Sequence, residues 1–422
     1  MSAVATRFDN AGSGGVRKGV RYESIVSAAV WIFLFCGSIS LIEPSPYDFM
    51  SLVAIPLWFF GGFRLHRALI LILAFWTINL VNGYIALTPY WHEPDPRLYQ
   101  FQSLYLFVTV VFFTIYFSER SEARLENALR AFTAGCLFSA AFGVAGYLNI
   151  GGLSQYTLIY ESRIAGTFKD PNVFGSYLII GVVFLAQSVI LGTARNVWLT
   201  TLGLAILLAG VLLSFSRGSW GATVIALAML GAVSFATTTG RVRQRVMIAA
   251  IACLVLATLI IVVVLADSTT RELFAERFTA TKEYDVGATG RFGNQIRSLI
   301  PLLSLPMGYG PLRFRLVYDL EPHNSYIGAF ANYGWFGGFL WIFLVAATCW
   351  IGFRLMFTPS PLRRHAQVVF PATFVILLQG FQIDVDHWRQ LFLCFGAVWG
   401  MEVARIRMIE RGEVRPAGVA SG

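Results

Sequence analysis

The sequence predicts an all-α polytopic membrane protein with about 12 transmembrane helices, and two observations lead to this prediction. Of its 422 residues 56% are hydrophobic and only 13% are charged, with a mean hydropathy of +0.65. That leaves too little polar surface to cover a water-soluble globule of this size. Apolar stretches of roughly 20 residues, the length needed to cross a bilayer, recur from Ser24 to Val403. No room remains for a large soluble domain.

Taken in chain order, the apolar stretches divide the protein into two tails and one membrane domain, residues 24–403. The predicted spans are 24–42, 47–63, 68–87, 101–117, 131–150, 173–192, 197–213, 218–236, 246–266, 324–345, 367–383 and 388–403. The tail 1–23 carries four cations ahead of a full-length span without an A-x-A cleavage site, which indicates an uncleaved signal anchor. Residues 404–422 form the second tail.

The distribution of lysine and arginine predicts the side that each loop faces. With both tails in the cytoplasm, most of the 32 Lys and Arg residues fall in cytoplasmic segments, and the alternation holds at every loop. The net charge of +9 is therefore a topology signal, since the cations lie in short clusters between spans. A nucleic-acid-binding protein would gather them into one stripe, so no nucleic-acid partner is expected. We expect membrane lipids as partners instead.

The longest external segment is the loop 267–322, which is predicted to contain two short amphipathic helices on the outer membrane interface. Apolar residues repeat there at helical spacing. They are Leu273, Phe274 and Phe278, followed by Phe292, Ile296, Leu299, Ile300 and Leu303. This loop and the shorter external turns are where chemistry outside the cell membrane would be built.

Several cations in these external segments are candidates for binding phosphate. Arg163 and Lys169 lie just before a span, where an arginine fork holds phosphate oxygens bidentately and a lysine offers a point charge. Helix capping by Asp170 or Asn172 is the alternative explanation of this segment. Arg217 lies in a short turn between two spans. A charge so close to the apolar part of the bilayer is energetically costly unless it meets an anion or snorkels to lipid headgroups.

The remaining candidates lie in and beyond the long loop. Arg291 is a third external arginine. His323 and Asn324 open a span, where a histidine can accept a proton from a hydroxyl near neutral pH, although a lone histidine is more often structural. A polar cluster at 384–389, which includes Asp386, His387 and Arg389, binds an acceptor, orients a base or caps helices, and the sequence leaves these three roles open. We expect neither a metal nor another cofactor.

Four short motifs resemble the bacterial O-antigen ligase and O-antigen or exopolysaccharide polymerase superfamily. They are Gly-Thr-Phe-Lys-Asp-Pro-Asn-Val-Phe-Gly at 166–175, Ser-Phe-Ser-Arg-Gly at 214–218, Gly-Arg-Phe-Gly at 290–293 and Pro-His-Asn-Ser-Tyr at 322–326. A fifth, Asp-Val-Asp-His-Trp-Arg at 384–389, looks like a motif of the exopolysaccharide-polymerase branch. The resemblance covers about residues 130–400.

The resemblance implies an inverting, metal-independent glycosyltransferase of the bacterial inner membrane with its active site facing the periplasm. The donor would be an undecaprenyl-diphosphate-linked oligosaccharide. The acceptor would be the lipid A core for a ligase or another lipid-linked glycan for a polymerase. The family's two essential arginines would fall on Arg217 and Arg291 and its essential histidine on His323. Arg163, Lys169 and the cluster at 384–389 would support them.

Two other classes of protein are consistent with a helical membrane domain. A transporter of lipid-linked glycans or anions predicts charged residues in mid-span and helices broken at the bilayer centre, whereas these spans are nearly free of charge. A scaffold protein would not need external arginines and a histidine together. The glycosyltransferase hypothesis accounts best for the external arginines and the histidine.

Overall fold

The computed structural model describes residues 12–159, 163–251, 287 and 290–414, and this part of the chain is almost entirely helical. The helices are α1 (Gly12–Cys36), α2 (Pro46–Phe60), α3 (Arg67–Leu87), α4 (Pro94–Phe117), α5 (Ser121–Tyr147), α6 (Ser154–Thr157), α7 (Pro171–Leu191), α8 (Val197–Leu213), α9 (Arg217–Thr237), α10 (Arg291–Leu303), α11 (Phe314–Tyr318), α12 (Ser325–Phe357), α13 (Arg363–Gln379) and α14 (Arg389–Glu410). Residues 241–251 are helical as well. Two short antiparallel strands, β1 (Leu158–Ile159) and β2 (Arg163–Ile164), precede α7.

Six of the described helices are long and apolar enough to cross a membrane, which confirms the prediction of an all-α membrane protein. They are Arg67–Tyr90, Pro94–Phe117, Ser121–Tyr147, Pro171–Leu191, Arg217–Thr237 and Ser325–Phe357. Three shorter apolar helices, Tyr22–Cys36, Pro46–Phe60 and Val197–Leu213, lie among them. Most of the predicted span 246–266, and the first predicted amphipathic helix of the long loop, lie outside the described residues.

Local capping explains where several helices begin. Asp170 accepts a hydrogen bond from the backbone N–H of Asn172 (2.6 Å), and Pro171 occupies the first helical position of α7. Asn196 caps α8 in the same way, accepting from the N–H groups of Trp198 (3.1 Å) and Leu199 (3.2 Å). Such side chains satisfy N–H groups that have no partner within the helix. Capping is therefore the role of Asp170 in this structure.

The last helix, α14, packs closely along α4. A methyl group at Gly396 would lie 2.4 Å from Cβ of Phe113, and one at Gly400 would lie 2.8 Å from Cβ of Phe117. Glycines four residues apart let two helix backbones approach, and this spacing is typical of helix pairs in membranes. The close approach fixes α14, and with it the turn that precedes the helix.

Helix α12 is broken at Gly334, whose φ of 69° and ψ of −167° are accessible essentially to glycine alone. The segment 306–310 fills the break. The N–H of Trp335 donates to the carbonyl of Pro306 (2.9 Å), and the N–H of Tyr309 donates to the carbonyl of Ala331 (2.7 Å). Backbone groups released by the break are thus satisfied by another segment of the protein, as a membrane environment requires.

Polar contacts gather at the two ends of the bundle. The connection between α3 and α4, the turn between α13 and α14, and the first residues of α10 and α12 come together at one end. Ion pairs occur at both ends; at the opposite end His66 meets Glu410 (2.8 Å) and Arg407 meets Glu119 (3.1 Å). The external-site candidates Arg291 and His323 lie at the first end.

Candidate active site

The connection between α13 and α14, residues 380–388, is the structural centre of the candidate site, and we call it the central turn. The N–H of Ser325 donates to the carbonyl of Gly380 (2.8 Å), and the Ser325 hydroxyl accepts from the N–H of Val385 (2.7 Å). The N–H of Asn324 donates to Oδ1 of Asp384 (3.0 Å). These bonds tie the first residues of α12 to the central turn.

His323 lies directly before this anchored segment. Its Nδ1 is 3.4 Å from Oδ2 of Asp384, and its side chain is 42% exposed, so the ring remains accessible. The backbone of His323 has a φ of 44°, a left-handed conformation that side chains adopt at a cost of roughly 1–2 kcal/mol. Gln295 supports this conformation, because its Nε2 donates to the carbonyls of Pro322 (2.8 Å) and His323 (3.4 Å).

Arg291 is the first residue of α10, one turn before Gln295 on the same helix. Its Nη1 donates to the carbonyl of Gln382 in the central turn (3.2 Å), and its guanidinium lies 4.8 Å from the ring centre of Phe292. Helix α10 therefore contacts the central turn through Arg291 and the His323 segment through Gln295. The sequence-predicted arginine and histidine lie around the same short turn.

The start of α9, which carries Arg217, meets the central turn from a third segment. It is the first residue of α9, which Ser216 caps by accepting from the N–H of Ser219 (3.3 Å). At the next residue, Gly218, a Cβ would lie 3.8 Å from the side-chain oxygens of both Gln379 and Gln382. The start of α9 thus faces the residues whose backbone Arg291 contacts. Arg291, His323 and the start of α9, which carries Arg217, therefore border residues 379–384.

Arg163 and Lys169 take part in other contacts. Arg163 donates from Nε to the carbonyl of Ser214 (2.9 Å) and from Nη2 to Oδ1 of Asn172 (2.8 Å), which joins β2 to the starts of α7 and α9. Lys169 forms an exposed ion pair with Glu43 (3.0 Å). Arg163 therefore supports the segment that carries Arg217, whereas Lys169 lies in a solvent-screened pair of small energetic weight.

Asp386 and His387 form the inner side of the central turn. Oδ2 of Asp386 accepts from the hydroxyl of Tyr99 (2.8 Å) and lies 3.1 Å from Nδ1 of His387. Nε2 of His387 lies 2.9 Å from the hydroxyl of Ser103. Burial alone would raise the pKa of Asp386, but the hydrogen bond and charge of His387 outweigh burial and lower it. Asp386 is an anion at neutral pH.

The Ser103 hydroxyl keeps this chain connected in two protonation states of His387. Its single proton has two acceptors, Nε2 of His387 (2.9 Å) and the carbonyl of Tyr99 (3.2 Å). When the histidine is neutral the hydroxyl donates to Nε2, and when both ring nitrogens carry protons the hydroxyl turns to the carbonyl. In both arrangements Nδ1 of His387 stays bonded to Asp386.

Two further candidates are held by structural contacts. Arg389 pairs with Asp48 (2.9 Å), which belongs to the capping box of α2, and lies 5.4 Å from the ring centre of Tyr47. Asn324 is 7% exposed, and its side chain accepts from the N–H of Tyr326 (3.0 Å). Asn324 caps α12, and Arg389 fixes the end of the central turn against α2.

Acidic groups surround the histidine. Burial, together with the charge of Asp384, raises the pKa of Glu321, although Arg315 opposes this shift from 3.6 Å. Asp384 and Asp386 have the D-x-D spacing of some metal-binding pairs, contrary to the expectation that the external segments hold no such acidic pair. Their carboxylates have different partners, His323 and His387. Within the described ranges, no group of three or more His, Cys, Asp or Glu side chains is arranged to hold a metal.

Sequence reasoning missed the residues that assemble the site. Gln295 holds the backbone of His323, and Tyr99 and Ser103 hold Asp386 and His387. Ser103 lies in the predicted span 101–117 and Tyr99 just before it, where polar residues have no distinctive spacing. Gln295 lies on the predicted amphipathic helix, whose polar face was the only signal. No protein-family model matches this chain, and no curated protein is significantly similar to it.

Proposed function

We propose that this chain is a membrane glycosyltransferase of the O-antigen ligase and polymerase type, acting at the periplasmic face of the bacterial inner membrane. It transfers undecaprenyl-diphosphate-linked glycan to a hydroxyl acceptor in surface polysaccharide biosynthesis. The proposal includes the twelve-span topology and the periplasmic position of the loop 267–322. The motif resemblance supports the reaction class, and the geometry of the central turn supports the assignment of residues.

The observation that carries the proposal is that Arg291, His323 and the start of α9, which carries Arg217, meet the central turn from three separate segments. They are distant in sequence. Ser216 caps the helix that begins at Arg217, Arg291 is the first residue of α10, and Gln295 holds the backbone of His323. Two cations and a titratable base around one accessible turn match what transfer from a diphosphate requires. A purely structural role would not need an exposed histidine in a left-handed conformation.

In the proposed reaction His323 accepts the proton of the acceptor hydroxyl. The hydroxyl oxygen forms a bond to the anomeric carbon, and the bond from that carbon to the diphosphate oxygen breaks on the opposite face, which inverts the configuration. The electron pair of the broken bond stays on the diphosphate, and Arg217 and Arg291 stabilise its increased charge. Asp384 faces Nδ1 of the ring and stabilises the protonated histidine.

The test is a transfer assay with purified protein in lipid, an undecaprenyl-diphosphate oligosaccharide as donor, and lipid A core or a second donor molecule as acceptor. We expect His323→Ala to lower the transfer rate by at least about 10²-fold, the typical contribution of a positioned acid–base group. His92→Ala is the matched control, because His92 is an exposed histidine of the connection between α3 and α4. Wild-type rates for a folded His323→Ala protein would contradict the mechanism.

The choice of acceptor distinguishes a ligase from a polymerase. The polymerase-like motif at 384–389 favours a second lipid-linked glycan as acceptor. In a deletion strain, loss of all long chains with one repeat retained would indicate a polymerase. Intact lipid-linked chains that never reach lipid A would indicate a ligase.

The transporter alternative draws on one observation, the break of α12 at Gly334. At 1.5 Å per residue, the break lies about 14 Å from Ser325 in a helix roughly 50 Å long, and so in the third nearer the candidate site. Segment 306–310 fills it with backbone hydrogen bonds, which leaves no open ion site at this point. Uptake of labelled donor into vesicles without formation of a glycosidic bond would favour the transporter.

A further inference from the structure

The two peptide groups that flank the Cα atom of His323 are held by one side-chain amide. Nε2 of Gln295 donates to the carbonyl of Pro322 (2.8 Å) and, more weakly, to the carbonyl of His323 itself (3.4 Å). A glutamine amide carries two N–H groups, so it has one for each carbonyl. Gln295 is buried, with 8% of its surface exposed, so little water competes for these bonds. One side chain therefore restrains both peptide planes.

The orientation of these two planes determines φ and ψ of His323, and with them the direction of its Cα–Cβ bond. In an extended chain successive carbonyls point in opposite directions, so a single nitrogen could not meet both. With φ at 44° the two carbonyls of residues 322 and 323 turn towards the same donor. A side chain other than glycine adopts this left-handed conformation at a cost, and two hydrogen bonds are of comparable free energy. The bonds from Gln295 thus offset the strain.

The peptide group after His323 is held from its other end as well. Its carbonyl meets Gln295, and its N–H, which belongs to Asn324, donates to Oδ1 of Asp384 (3.0 Å). The second oxygen of that carboxylate, Oδ2, lies 3.4 Å from Nδ1 of the His323 ring. While both anchors hold, the ring stays beside Asp384. Loss of the Gln295 bonds removes one anchor and lets His323 relax to conformations that L-residues prefer.

Helix α10, which carries Gln295, is itself fixed at several points. Its first residue, Arg291, donates to the central turn, and Nδ2 of Asn294 donates to the carbonyl of Tyr318 (2.9 Å). Near its end, the carbonyl of Leu302 accepts from the indole N–H of Trp335 in α12 (3.0 Å). Arg291 precedes Gln295 by four residues, about 6 Å along the helix axis. The helix therefore fixes the start of the arginine side chain relative to the amide that restrains the histidine.

We propose that Gln295 is a positioning residue that holds His323 in its reactive conformation, an inference that rests on the proposed function. Gln295 acts through the backbone of His323 and not on the reacting atoms. Because Gln295 and Arg291 share α10, the same helix sets the spacing between the base and one cation of the leaving-group site. A base must lie within hydrogen-bond reach of the proton that it accepts, so this restraint acts on the rate of the chemical step.

The test compares kcat and the donor KM in the transfer assay for full-length protein in lipid. Gln295→Met keeps the length of the side chain but has no N–H to donate. We expect kcat to fall roughly 10–100-fold, because small displacements of a catalytic group have effects of this size. The donor KM should change little, since Arg217 and Arg291 remain. Asn294→Leu is the matched control, because Asn294 is also buried on α10 and loses an amide-to-carbonyl bond that does not involve His323.

A second measurement separates positioning from general loss of structure. A residue that acts through His323 has no further effect once the imidazole is absent. The double variant His323→Ala, Gln295→Met should therefore transfer glycan at the rate of His323→Ala alone. Two independent losses that multiply would overturn the proposal, and so would a wild-type kcat in folded Gln295→Met or an equal loss of kcat in Asn294→Leu. If Gln295→Met does not fold, Gln295→Glu, whose carboxylate also lacks an N–H, carries the same comparisons.

An experimental map of Gln295→Met in lipid provides a readout that does not depend on transfer. We expect His323 to leave the left-handed conformation and its ring to move away from Asp384. If the wild-type protein transfers no glycan, the proposed function fails, and the map alone decides whether Gln295 positions His323. A His323 residue that keeps its conformation and its contact with Asp384 in this variant would overturn the inference.

Discussion

Replacing Arg291 by alanine separates catalytic from structural loss. In the structure Arg291 donates a hydrogen bond to the backbone carbonyl of Gln382. Such a bond contributes about 0.5–1.5 kcal/mol to stability, a small part of the roughly 5–15 kcal/mol that keeps a domain folded. Nearly all of the variant protein would therefore remain folded. Loss of a preorganised charge contact to the leaving group instead lowers the rate by about 10²–10³-fold.

The assay is initial-rate transfer from an undecaprenyl-diphosphate oligosaccharide, measured alongside thermal unfolding of the same preparations. We expect Arg291→Ala to lose activity without a matching loss of stability, and Arg291→Lys to recover only part of it, because lysine lacks the guanidinium fork. Arg297→Ala is the matched control, since Arg297 lies on the same helix and bonds to Asn294. A loss of activity in Arg291→Ala no larger than the control's would refute the reasoning.

Three further predictions concern packing and pH. Gly396→Ala should destabilise the protein by about 1–3 kcal/mol, because the added methyl group would meet Phe113. Gly221→Ala should not, because nothing lies within 4 Å of a Cβ at that position. Thermal unfolding in lipid checks both variants. Asp386→Asn should destabilise the protein at neutral pH. The lowered pKa of Asp386 contributes stability above its unfolded value of 3.8, and this stability is lost as pH falls through the folded pKa. Equal unfolding temperatures at pH 7 would contradict this. Glu321 has a raised pKa, so its effect on stability is the opposite one: stability falls as pH rises from 4.5 through the folded pKa. Glu321→Gln should therefore make the unfolding temperature depend less on pH in that range.

Local signals in the sequence predicted much of the helical framework. The predicted span 197–213 coincides with α8, because Asn196 supplies a cap just before the apolar stretch. The predicted span 324–345 is too short, since α12 runs to Phe357. Its apolar character continues past Gly334, and only the packing of segment 306–310 shows where the helix is broken.

The candidate site was less predictable where long-range contacts decide a residue's role. Arg163 is a cation of the kind that binds phosphate, but its guanidinium donates hydrogen bonds to Ser214 and Asn172, which belong to other elements. Trp76 and Ser103 look like ordinary residues of two predicted spans, and they line one cavity only after α3 and α4 pack together. Periodicity reports which side of a helix is apolar but not which partner the opposite side will meet.

Helix α10 has an unusual orientation, which bears on how the surrounding lipid affects activity. Its polar residues Gln295 and Ser298 are buried against the protein, whereas Ile296 and Ile300 are 71% and 77% exposed. Acyl chains are the natural cover for such a surface. Arg291 is the first residue of this helix, so the thickness of the bilayer affects its position along the membrane normal. Vesicles made from short-chain and long-chain lipids should therefore differ in turnover even when the protein and both substrates are the same.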